Sequence, residues 1–228
     1  MWPGVQGKNM KVLACSVALI VAWMAWSGGS ISYASDGGSI TAVNSSVNAN
    51  EGQTYETLST VNGDVRVSRR AVANVAKTVN GSITLESEAR VGEASTVNGS
   101  LNLAEGVSIE REARTVNGDV DMRKRSRVGG DVATVSGDID VDGAEVGGEI
   151  RTNNGNIDLT DGAQVRGGIY VKETHRSGWS WGKDDPVKVH ICSTCVVDGD
   201  LRFERPVELR VDSGAKIGKV IGDNVRRL

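Results

Sequence analysis

TVNGDVRV at residues 60–67 returns as TVNGSITL at 78–85, TVNGSLNL at 96–103, TVNGDVDM at 115–122, TVSGDIDV at 134–141 and TNNGNIDL at 152–159. Looser copies are AVNSSVNA at 42–49 and VVDGDLRF at 196–203. Neighbouring copies from 42 to 159 begin 18 or 19 residues apart. A short fixed period means one structural unit stacked on itself, the sequence signature of a solenoid.

Apolar residues alternate inside the phrase. The sixth position holds Val47, Val65, Ile83, Leu101, Val120, Ile139, Ile157 and Leu201, and the eighth holds Ala49, Val67, Leu85, Leu103, Met122, Val141, Leu159 and Phe203. Period-two alternation marks a half-buried strand. The pairs Asn62-Gly63, Asn80-Gly81, Asn98-Gly99 and Asn117-Gly118 supply a tight bend before it, since Asn and Gly accept positive φ at low cost. Asn-Gly also marks hairpins, but each strand here resembles the strand one period later. The second half of the period carries its own signature: ARVG at 89–92, RVGG at 127–130, AEVGG at 144–148 and AQVRGG at 163–168. Each coil therefore holds about three short strands with Gly corners. The expected fold is all-β, a narrow single-stranded parallel β-helix. Eight coils at ~4.8 Å each would span roughly 40 Å. Small aliphatics fill the bore, and an aromatic content of 4% agrees with so narrow a core. Asn44, Asn62, Asn80, Asn98 and Asn117 fall in register. Two readings stand: an amide ladder from coil to coil, or simply the residue best suited to precede a corner glycine.

Residues 12–26 form an unbroken apolar run preceded by Lys8 and Lys11 and followed by the small-x-Ala site Ser32-Tyr33-Ala34. This reads as a signal peptide over 1–34, cleaved after Ala34. The alternative is an uncleaved anchor, for which a run of fifteen is short. The expected location is outside the cytoplasm, in a bacterium the periplasm or cell surface, with membrane attachment only if the segment stays. Cap residues 35–41 precede a solenoid over 42–221, and a polar tail covers 222–228. Net charge is −3, which gives no reason to expect nucleic acid. Copies at 152 and 196 are 44 residues apart, two periods plus about seven. The surplus falls near 173–188, which reads as a projecting loop carrying His175, Trp179 and Trp181. Solenoid ends expose strand edges, so 35–56 and 205–228 either cap them or leave them open for self-association.

The motif His190-Ile191-Cys192-Ser193-Thr194-Cys195 is open to metal binding, thiol exchange or a disulfide. A structural zinc needs four ligands and the chain has only two His, so no metal and no cofactor are expected. In an oxidising compartment a local Cys192–Cys195 disulfide is the default. In a parallel stack Asp119 and Asp138 become neighbours, as do Asp121, Asp140 and Asp158. Such columns are either a solvated acidic face, a cation-binding ladder of oxygen ligands, or paired acids for glycoside cleavage. Trp179, Trp181 and His175 are the contact candidates for a glycan or envelope protein; the alternative is that the rings cover the solenoid. No Ser-His-Asp set, phosphate loop or nucleotide fingerprint is present, so no catalytic residue is assigned. A hexapeptide-transferase-like enzyme would need His175 or His190 as its catalytic base.

The repeated phrase, following a signal peptide, resembles the adhesin β-strand-repeat family, a domain of unknown function. It is also similar to the polymer-forming bactofilin-type solenoids. The resemblance covers residues 40–220. The first family implies a parallel β-solenoid of the cell envelope with a structural or adhesive role and no established reaction. The second implies a scaffold that self-assembles through solenoid ends.

Overall fold

A computed structural model describes residues 31–35, 38–173 and 185–228. His175, Trp179, Trp181 and the apolar run at 12–26 lie outside the described residues.

The chain winds as a parallel β-solenoid of about ten coils, not eight, without a helix among the described residues. One face is a ladder of ten parallel strands. In order they are Val47–Ala49, Val65–Val67, Ile83–Leu85, Leu101–Leu103, Val120–Met122, Ile139–Asp142, Ile157–Thr160, Val187–Ile191, Val207–Val211 and Val225–Arg227. At ~4.8 Å per strand the ladder is roughly 43 Å long. The sixth and eighth phrase positions point inward from it, and Val65, Val67, Ile83, Leu85, Leu101 and Leu103 are buried. Burying each such side chain contributes about 1.5–3 kcal/mol.

A seventeen-stranded sheet makes the rest of the wall. In the early coils it runs as single strands, Thr54–Thr60, Val72–Lys77 and Arg90–Ser95. Arg90–Ser95 then pairs with two separate strands of the next coil, Ser108–Ile109 and Ala113–Arg114. The cause is visible in the spacing. Inward residues Val91 and Ala94 are three apart, whereas Ile109 and Ala113 are four apart, and Glu110-Arg111 must turn a corner. Later coils place Gly-Gly at this corner. The wall thus divides into two strands along the stack, at the corner where the early coils interrupt pairing only at Glu56, Asn74 and Gly92.

The segment at 196–203 is not a copy of the phrase. Leu201–Phe203 stacks on Ile169–Val171 in the larger sheet. The strand lying on Ile157–Leu159 is instead drawn from Val187–Ile191. Val187, Val189 and Ile191 are buried and supply the inward alternation without a TVNG corner. Asp200, the fifth residue of VVDGDLRF and so expected in register with Asp119 and Asp138, accordingly does not join their column. The segment 222–228 is more than a tail, since Val225–Arg227 closes the ten-stranded ladder. At the other end Ile31–Ser35 pairs antiparallel with Ser39–Val43, so the strand spans the expected cleavage point after Ala34.

Candidate functional site

The corner that carries the phrase is built from three columns of side chains. The first-position threonines are buried: Thr60, Thr78, Thr96, Thr115 and Thr134 each donate from Oγ1 to a main-chain oxygen of the previous coil, at 2.8–3.0 Å. The third-position asparagines form a continuous ladder. Nδ2 donates to Oδ1 of the preceding coil from Asn62 to Asn44 at 2.6 Å, Asn80 to Asn62 at 2.7 Å, Asn98 to Asn80 at 2.8 Å and Asn117 to Asn98 at 2.9 Å. Fifth-position side chains accept from the next coil's backbone: Asp64 from the Ser82 N–H at 2.8 Å, Asp119 from Asp138 at 2.8 Å and Asp138 from Asn156 at 2.7 Å. Asp119 and Asp138 therefore act as backbone acceptors. Asp200 does the same elsewhere, accepting from the Lys219 N–H at 3.2 Å.

Between these columns runs a feature that the sequence reading passed over. Second-position Val61, Val79, Val97, Val116 and Val135 are 39–41% exposed. They form an apolar ridge beside the asparagine ladder, about 19 Å long at ~4.8 Å per step. The signal was a β-branched residue repeated where a corner ordinarily carries polar ones.

On the ten-stranded face Asp121, Asp140 and Asp158 are consecutive rungs. Partial desolvation of Asp140, reinforced by the charges of Asp121, Asp158, Asp138 and Asp119, raises its carboxyl pKa above the ordinary value. His190 ends the column. It stacks on Asp158 with Nδ1 at 2.7 Å from Oδ1, and its Nε2 lies 3.2 Å from Asp212 Oδ2. Hydrogen bonding from His190, with Arg210 as a second donor, lowers the Asp212 pKa. Cys192 and Cys195 are joined, with Cα atoms 5.1 Å apart. Cys195 is buried at a bore position where other coils carry Ala71, Ala89, Ala144 and Ala163. Among the described residues no three His, Cys, Asp or Glu side chains converge to hold a metal.

The inserted segment leaves and re-enters at the phrase corner, and Arg205, 9% exposed, pins its base. Nη1 donates to the Asn153 carbonyl at 2.7 Å and to Asn154 Oδ1, and Nη2 donates to the Asp185 carbonyl at 3.2 Å. A shallow cleft of about 310 Å³ lies here, lined by Asp138, Asn154, Asn156, Asp185, Val187 and Arg205. Nothing in the local sequence announced Arg205, whose partners lie 20 to 52 residues away. No known protein family, curated protein or solved structure matches this chain.

Proposed function

We propose that this chain is an exported, non-catalytic β-solenoid serving as a structural or adhesin-like component of the cell envelope, in keeping with its resemblance to the adhesin β-strand repeats. The observation that carries this reading is the closed construction of the wall. The bore is filled with aliphatic side chains, corners turn in three or four residues, and carboxylates such as Asp119 and Asp138 are spent on the next coil's backbone. Export is supported by the apolar run at 12–26 and by the joined Cys192–Cys195 pair. The contact element is the insertion bearing His175, Trp179 and Trp181; its partner is a glycan or an envelope protein. The test is N-terminal mass analysis of the chain recovered from fractionated cells. A chain beginning at Ser35 in the envelope or medium agrees with the proposal. A chain with an intact N-terminus in the cytoplasm contradicts it.

One observation favours a second reading, a scaffold assembling through its ends. The ten-stranded ladder stops at Val47–Ala49 and at Val225–Arg227, each bonded to a neighbouring strand on one side only. Such edges accept further strands. Filaments in negative-stain electron microscopy support this reading, and a monomer at high concentration removes it.

A further inference from the structure

We propose that the valine ridge is a lateral interface at which two copies of this chain pair side by side with their solenoid axes parallel. A partner that seats against all five valines must present apolar groups at the same ~4.8 Å step, and a second copy does so by construction. The strip is uncharged along its length, Val beside Asn in four coils and Val135 beside Ser136 in the fifth. It resembles the dry, interdigitated contact of identical side chains in stacked sheets.

The rows flanking the ridge decide the orientation. On the side where the chain enters the corner lie Lys77 and Arg114, both exposed and ion-paired to Glu93 and Glu112 of their own wall. On the side where it leaves lie Asp64, Asp119 and Asp138. A two-fold axis parallel to the stack sets the Lys77/Arg114 row of one copy against the acidic row of the other. A two-fold axis perpendicular to the stack, lying across the ridge, sets like rows together. Charge complementarity therefore selects the parallel pair, in which every valine faces the same valine of the partner. Two side chains per coil over five coils make a smaller patch than the ~800 Å² per partner of a standard interface. Pairing is accordingly reversible and concentration-dependent, and it holds wherever the chain resides in the cell.

The test is oxidative cross-linking of the full chain carrying Cys15→Ser and one added cysteine, with far-UV circular dichroism confirming the fold. Val79→Cys and Val116→Cys are each expected to form disulfide-linked dimers in a concentration-dependent manner. Arg90→Cys, on a different part of the wall, is the control. Adding Val116→Lys to the Val79→Cys chain is expected to abolish its dimer. Cross-linking confined to Val97→Cys would mean an antiparallel pair and overturn the orientation. Cross-linking no greater than at Arg90→Cys overturns the interface. Failure of a dilute, monomeric Val97→Cys chain to react with maleimide overturns it too, because the ridge would then be covered from within the chain.

Discussion

Two glycines in one coil separate the steric demand of stacking from the demand of a turn. Gly99 sits at φ +155°, and a Cβ there would lie 2.1 Å from the Gly81 oxygen and 2.5 Å from its carbon. Gly106 sits at φ +72°, yet nothing approaches its Cβ position closer than 3.8 Å. Gly106→Ala carries only the backbone penalty, about 1–2 kcal/mol, offset by about 0.4–1 kcal/mol from the stiffer unfolded chain. Gly99→Ala must also push two coils apart. That stretches Gly81 N–H to Asn98 O and Ile83 N–H to Ser100 O, both 2.9 Å, and Asn98 N–H to Val79 O, 2.8 Å. At about 1 kcal/mol for each weakened bond, the total is about 3–4 kcal/mol. Urea unfolding followed by far-UV circular dichroism measures both variants. Equal losses for the two substitutions would refute coil-on-coil contact at the phrase corner.

Asn98→Ala removes two rungs of the amide ladder, to Asn80 and from Asn117. It is expected to cost about 1–3 kcal/mol in the same unfolding assay. Asp140→Asn relieves like-charge crowding along its column and is expected to stabilise by up to about 1 kcal/mol at pH 7 and low salt. The sign follows from its raised pKa: the folded state prefers the protonated acid. The advantage of Asn therefore fades as pH falls through the raised value to the ordinary carboxylate range, and also as salt is added; thermal melts across pH show both. Asp212 has a lowered pKa, so its contribution is present above the ordinary carboxylate value and lost as pH falls. Asp212→Asn is expected to lower the melting temperature at neutral pH and to leave it unchanged in strong acid. Reducing Cys192–Cys195, which closes a loop of four residues, is expected to cost at most about 2 kcal/mol on a chain-entropy basis. A thiol count with and without reductant checks the bond itself.

The phrase carried the fold because both of its halves obey local rules: alternating residues face the bore, and Asn-Gly turns the corner. It could not carry the register beyond Thr152. VVDGDLRF imitates the phrase, whereas strand pairing follows inward residues, and these assign Leu201 and Phe203 to the larger sheet. The division of this wall into two strands rests on one extra residue at Glu110-Arg111, too small a signal beside a period that already varies by one. The asparagine column was legible as a column, while its bonding depends on how closely the corners stack. His190 meeting both Asp158 and Asp212 was hidden because an insertion separates His190 from the coil beneath it. The first-position threonines and second-position valines were in plain view but received no physical role. Their burial and exposure depend on how the corner is turned, which composition does not reveal.

Paired spin labels on the outer face of the ten-stranded ladder test the central claim most directly. Arg66, Asp158 and Arg210 occupy one column, five and seven coils apart. At ~4.8 Å per coil, dipolar distances between Cys-substituted sites should centre near 24 Å for 66/158 and 34 Å for 66/210, within the reach of the label linkers. Those two distances, rising in step with the coil count, are what a parallel solenoid in this register requires. Distances that fail to grow from the first pair to the second would contradict it.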